Sequence, residues 1–298
     1  MTYLPPVSAP RLLLYTILSV VAFLLLTGAV VAALAAHYGV SLAESTAVYE
    51  TMTQRQQLRF LLLVNNLGTW GLSAIGALGL AYRNYWPCAA GLVSVRRPEL
   101  IGSSVLTCVF GLPAIGLAAY LNLQLDLPDW MVRTEDVGNA MLAGVLRIEV
   151  IPELLLALLT VAVVPAFCEE VMFRGLLQGR LLGKVMSGHA AVWVAAIIFS
   201  AIHVEFAGFL PRLLLGAGLG YAYRWTGTLW VPIVLHMLFN GVQVLTTWWS
   251  GEFTPDTELD TPFVPLLAAG LLSIAAVIYL GLRAERQLAT VPPEARAL

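Results

Sequence analysis

Residues 150–180 read VIPELLLALLTVAVVPAFCEEVMFRGLLQGR. The stretch is longer than the ~20 mostly apolar residues that a helix needs to span a bilayer. Two adjacent carboxylates, Glu169 and Glu170, and the guanidinium of Arg174 nevertheless lie inside it. An ionisable group in hydrocarbon costs at least ~2.5–3.5 kcal/mol on insertion scales, so a membrane helix that keeps three of them has a use for them. Pro165 cannot donate a backbone hydrogen bond and predicts a kink just ahead of the carboxylates.

Seven more apolar runs flank this one, at 11–36, 58–82, 101–121, 189–206, 211–225, 228–249 and 263–283. Together they predict an all-α, polytopic membrane helix bundle of about eight transmembrane helices. Composition agrees. The 298 residues are 59% hydrophobic and 11% charged, against roughly 25% charged in a soluble domain. A net charge of −2 offers no basic surface and argues against a nucleic-acid partner. Cys88, Cys108 and Cys168 form neither a disulfide framework nor a CxxC metal spacing. The run 11–36 exceeds the ~7–15-residue core of a signal peptide, so it reads as an uncleaved first span despite Ala33-Leu34-Ala35. Residues 122–149, with Pro128, Asp129, Glu135 and Asp136, read as a segment lying on the bilayer. The expected organisation is 1–149, N-terminal helices and interfacial segment; 150–250, a catalytic core; and 251–298, an acidic outer loop, a last span and a tail.

Basic residues orient such a bundle. With the N-terminus inside, the inner side takes Arg11, Arg83, Arg96, Arg97, Arg180, Lys184, Arg224, Arg283, Arg286 and Arg296. The outer side takes Arg55, Arg59, Arg133, Arg147 and Arg212, and its loop 250–262 holds Glu252, Asp256, Glu258 and Asp260. The bias favours both termini in the cytoplasm, and the plasma membrane is the expected location. Trp225, Trp230, Trp248 and Trp249 flank spans, where interfacial aromatics sit. Gly216 and Gly220 form a GxxxG, read here as close packing within one bundle.

Two further polar pairs lie downstream: Phe199 with His203, and His236 with Asn240. Like Glu170 and Arg174, each is spaced i, i+4 and so shares a helix face. Counted from the inner ends of their spans, Glu169, His203 and His236 lie roughly 16, 21 and 12 Å deep at ~1.5 Å per residue. Three helices thus bring polar groups to a similar band of a ~30 Å hydrocarbon core, which favours one shared site.

A glutamate in a poorly hydrated pocket serves as a general base toward water. Adjacent residues point about 100° apart on a helix, so Glu169 and Glu170 take different jobs. Arg174 can pair with Glu170, which leaves Glu169 as the base. His203 shares or orients the water. His236 and Asn240 present N–H donors that suit an oxyanion hole. Structural readings stand beside these. Glu170–Arg174 as a buried ion pair, His203 as a packing residue and His236–Asn240 as a helix-to-helix link would each account for one motif alone. Cys168, His37 and His189 read as packing or boundary residues.

At these residues the chain resembles the CPBP family, the CAAX-protease and bacteriocin-processing intramembrane proteases. That family is marked by EExxxR, FxxxH and HxxxN-type motifs, in that order, on successive membrane helices. Glu169-Glu170 with Arg174, Phe199 with His203, and His236 with Asn240 match them. The likeness covers about 154–245. It implies a helical bundle whose peptidase site opens toward the cytoplasm or the membrane and takes a peptide or membrane-protein substrate. Glu169, His203, His236 and Asn240 would be catalytic, with Glu170, Arg174 and Phe199 supporting. The family has been read both as metalloproteases and as metal-free, glutamate-type enzymes. This chain lacks HExxH, so no cofactor is preferred; the alternative is zinc on Glu169, His203 and His236. A rival to the enzyme is an idle scaffold or immunity protein that binds a partner through the same polar cavity. A transporter would call for inverted repeats and paired broken helices, which the sequence lacks. Substrate and oligomeric state stay open.

Overall fold

The computed structural model describes residues 4–44, 48–251, 253 and 262–292, and among them every regular element is helical. Helix α1 (Ala9–Tyr38) opens with proline in its first turn and closes on Gly39 at φ +66°, the left-handed stop that glycine takes without strain. Helix α2 (Met52–Asn66) starts at a capping box. The Thr51 hydroxyl accepts the Gln54 N–H, and the Gln54 side chain accepts the Thr51 N–H. A π-helical turn, Leu67–Leu72, joins it to α3 (Ser73–Tyr82), and α4 (Trp86–Ala90) follows a short 3₁₀ turn. Then come α5 (Ile101–Leu123), α6 (Asp129–Leu146), α7 (Ile151–Ala157), α8 (Val164–Glu170), α9 (Gly188–Ala201), α10 (Phe209–Thr226), α11 (Trp230–Ser250) and α12 (Phe263–Thr290).

Among the described residues six stretches are long and apolar enough to cross a membrane: Ala9–Tyr38, Met52–Ala90, Pro98–Leu123, Ile151–Lys184, Trp230–Ser250 and Phe263–Thr290. The chain is an integral membrane protein. The other two expected spans are the shorter helices α9 and α10, of 14 and 18 residues. They rise roughly 21 and 27 Å. The expected acidic loop (Glu252, Asp256, Glu258, Asp260) and Arg296 lie outside the described residues.

The chain divides into two compact units, neither of them a contiguous stretch. One comprises Met1–Trp86, Asp129–Met172 and His236–Asp256; the other comprises Pro87–Pro128, Phe173–Leu235 and Thr257–Leu298.

In the first unit, α1 packs along α2, the π turn and α3, while α2 also meets α6, α7 and α8. Its apolar centres are Tyr49, Leu58 and Val145, and Leu146, Leu154, Ala157 and Val244. Between them runs a buried ionic network. Arg55 Nε and Nη2 donate to the two oxygens of Glu153 at 2.8 and 3.1 Å, and Arg59 Nη1 donates to Glu153 Oε1 at 2.9 Å. Arg59 also donates to the carbonyls of Val145 and Arg147, at 3.0 and 2.7 Å. This corrects the tally of loop charges: Arg55 and Arg59 are fully buried. The capping box starts α2 six residues before its apolar run, which carries both arginines into the unit.

In the second unit, α5 packs on α10 and α12, and α9 packs on α10. Leu100, Trp225, Ala284 and Leu288 form one apolar centre, and Val192, Ala196 and Ala217 another. Trp225 is therefore a core residue and not an interfacial anchor; its indole N–H donates to Glu285 at 2.8 Å. By contrast, Trp249 is 88% exposed, as an interfacial aromatic would be. The GxxxG does its work inside the chain. A Cβ on Gly216 would lie 3.1 Å from the Phe199 ring, and one on Gly220 would lie 3.0 Å from Val192.

Candidate active site

The catalytic candidates fall into two groups, one in each unit. In the first unit, Glu169 and Glu170 end α8, which lies between π-helical segments Leu158–Val163 and Val171–Leu181. Such π turns gather at functional sites. Here Pro165 gives a local cause, because it has no N–H to offer the Val161 carbonyl four residues earlier. That carbonyl accepts the Asn240 amide at 3.2 Å.

Helix α11 runs past this segment and brings His236 to the two carboxylates. His236 Nδ1 lies 2.9 Å from Glu170 Oε1, and Nε2 lies 3.9 Å from Glu169 Oε2. Each ring nitrogen thus faces a different glutamate. Glu170 is fully buried, and Glu169 and His236 are 7% and 3% exposed. The contact between His236 and Glu170 escaped sequence reasoning, which had linked Glu170 only to Arg174. Nothing in an i, i+4 pattern identifies a partner 66 residues away. Asn240 sits one turn beyond His236 and uses one of its two amide hydrogens on Val161. Cys168 packs against the first π turn, where a Cβ on Gly71 would stand 2.9 Å from its sulfur.

The second group gathers around Phe199, which is 1% exposed. Its ring meets Phe173 edge-on at 5.2 Å and the His203 imidazole at 4.9 Å. The Arg174 guanidinium lies over the same ring, 4.7 Å from its centroid. Such a cation–π contact contributes about 0.5–2 kcal/mol, more when desolvated. Arg174 Nη2 also donates to the Gly216 carbonyl at 3.0 Å, and one turn later Gln178 donates to the Gly220 carbonyl at 2.9 Å. A Cβ on Gly220 would stand 2.8 Å from Gln178 Oε1, so the missing side chain lets that amide reach the α10 backbone. Gln178 was not singled out from sequence, although its spacing from Arg174 repeats that of Gly220 from Gly216.

His203 differs from expectation in its local structure. Helix α9 ends at Ala201, so His203 stands in the turn that follows and not on the helix. Its Nδ1 donates to the Phe199 carbonyl at 2.7 Å. A carbonyl can only accept, so the hydrogen is on Nδ1; in the neutral ring Nε2 then carries the lone pair. The next residue, Val204, is held at φ +56°, a region that a β-branched residue enters only under constraint.

A zinc site needs three or more protein ligands. Among the described residues no group of three His, Cys, Asp or Glu side chains is arranged to hold a metal ion. His236 Nδ1 is already engaged by Glu170, which leaves Nε2 and Glu169 as one pair of ligand atoms. Within the first unit the described residues do not make up a zinc set.

The family model for type II CAAX prenyl endopeptidase Rce1-like proteins matches residues 151–242. Over 81 residues, 26% of this chain and 38% of the relative, the sequence is 35% identical to the uncharacterized protein YpbD of Bacillus subtilis (strain 168). It is 33% identical over 91 residues to the membrane-embedded CAAX protease MroQ of Staphylococcus aureus (strain USA300), covering 28% of this chain and 36% of that one. It is 26% identical over 98 residues to the putative membrane peptidase YdiL of Bacillus subtilis (strain 168), covering 33% and 40%. The chain therefore matches less than half the length of each of these relatives. No solved structure matches significantly. The matched stretch contains all three polar motifs, and over residues 151–242 the chain is similar to the Rce1-like, CPBP-type proteases.

Proposed function

We propose that the chain is an intramembrane endopeptidase that hydrolyses a peptide bond in a membrane-associated, lipidated or leader peptide. The observation that carries this reading is His236, buried, with one ring nitrogen toward each of two adjacent carboxylates. The family match and the relatives named as peptidases support it.

In this mechanism Glu169 takes a proton from water, and His203 has the water-orienting role that the family resemblance implies for it. The hydroxide oxygen bonds to the scissile carbonyl carbon, and the carbonyl π electrons move onto oxygen. His236 Nε2–H and the second Asn240 amide hydrogen stabilise that oxyanion. When the intermediate collapses, the C–N bond breaks and Glu169 returns its proton to the leaving amine. Glu170 holds His236 in place, and Arg174 with Phe199 braces the turn that carries His203.

Purified protein is expected to cleave peptide, and Glu169→Gln to lower kcat by at least the ~10²–10⁴-fold of a lost general base. A binding scaffold would show no cleavage in either form. Activity is also expected to survive exhaustive chelation. Loss on chelation, with recovery on adding one zinc per chain, would refute the metal-free mechanism and leave the peptidase assignment standing.

A further inference from the structure

We propose that Asn122, on α5, is a positioning residue that holds the His203 turn in its working conformation. The inference rests on the peptidase reading for the role of His203, while the tether itself stands on geometry within one unit. Helix α9, with 14 residues, rises roughly 21 Å, less than the ~30 Å thickness of a hydrocarbon core. The backbone that follows it leaves the helix at residues 202–208. Irregular backbone at such depth needs protein partners, because lipid supplies none.

Helix α10 begins without a cap of its own. Its N-cap residue is Gly208, which has no side chain to offer the first-turn N–H groups. Asn122 fills that role from 88 residues away. Its Oδ1 accepts the Leu210 N–H at 2.8 Å, and its Nδ2 donates to the Phe206 carbonyl at 2.8 Å. One carboxamide thus binds both the first turn of α10 and the loop before it. Ser200 adds a second link, its hydroxyl donating to the Phe209 carbonyl at 2.7 Å. Between these ties lie His203 and the strained Val204. Such backbone strain persists only where the surroundings over-determine the conformation. Asn122 is itself only 1% exposed, so water does not compete for its amide.

The chemistry demands an amide. Leucine has nearly the same shape and makes neither bond. Aspartate keeps the acceptor for Leu210 but, when ionised, turns a second oxygen toward the Phe206 carbonyl. Protonated aspartate regains a donor and reproduces the pattern of asparagine.

The test compares the full-length wild type, Asn122→Leu and Asn122→Asp in detergent, by backbone hydrogen exchange and by peptide cleavage. In Asn122→Leu, exchange is expected to speed up at least tenfold in 202–212 alone. There kcat should fall about 10- to 100-fold, as an ångström of misplacement predicts, with KM within about twofold. Asn122→Asp should recover toward the wild-type rate as pH falls, which a purely structural defect would not do. If Asn122→Leu fails to fold, Asn122→Asp carries the test through that pH rescue. Unchanged exchange at 202–212, or a loss confined to KM, would overturn the assignment. A wild type that cleaves no peptide would refute the peptidase reading, and exchange would then decide the tether alone.

Discussion

His236 shows how much a single proton decides. With a single ring proton, on Nδ1 toward Glu170, Nε2 offers a lone pair toward Glu169. With two, Nε2 becomes a donor and can stabilise an oxyanion. The proposed mechanism requires the second state during bond breaking. The same contact carries structural weight. Removing one partner of a buried charged pair costs roughly 3–5 kcal/mol, so His236→Ala is expected to lower the unfolding midpoint markedly. Glu170→Gln keeps an oxygen to accept the Nδ1 hydrogen and should cost less. Glu169→Gln should cost least, because Glu169 lies 3.9 Å from the ring. Thermal unfolding in detergent ranks the three. A Glu169→Gln protein less stable than His236→Ala would contradict this division of roles.

At the scale of elements, the π–α–π course of residues 158–181 and the glycine pair of α10 complement one another chemically. Pro165 disrupts the helix just before the carboxylates, and Asn240 takes up the carbonyl that proline leaves. Farther along, Arg174 and Gln178 reach the Gly216 and Gly220 carbonyls in register. Phe199, clamped by Phe173, Arg174 and His203, has little room to move. Gly216→Ala would place a methyl 3.1 Å from that ring. Overpacking of this kind costs about 1–3 kcal/mol, so the midpoint should fall while the oligomeric mass stays the same. An unchanged midpoint with an altered mass would instead identify the glycines as a contact between copies of the chain.

For the whole molecule, burial of Arg55 and Arg59 changes the orientation argument. Without them the expected outer side keeps only Arg133, Arg147 and Arg212, and the inward excess of positive charge grows. Arg147 lies 3.2 Å from Glu149, and Arg212 pairs with Glu205. The helix count does not disturb the conclusion. If α9 and α10 each cross, the chain spans eight times; if together they form a hairpin that turns back, it spans six times. Both numbers are even and place the two termini on one side. We propose the cytoplasmic side, in the plasma membrane. Reporters fused to each end should both report cytoplasm, and reporters on opposite sides would exclude both counts.

The sequence by itself determined the class of this protein and the identity of its polar motifs. Hydrophobic run length, scarce charge and i, i+4 spacing are local properties, and the hydrocarbon core penalises every buried ion whatever its surroundings. Glu169-Glu170, Arg174, Phe199, His203, His236 and Asn240 were therefore visible one by one. The Thr51–Gln54 capping box is equally legible and extends α2 over Arg55; Arg59 already lies within the 58–82 run. Tertiary structure alone decided the partners: His236 on Glu170, Asn240 on Val161, Arg174 on Gly216, Asn122 across the His203 turn. It also moved Trp225 from the interface to the core and ended α9 before His203. These outcomes depend on which helices meet, at what height and in what register. Hydrogen bonds between groups tens of residues apart leave no periodic trace in a single chain.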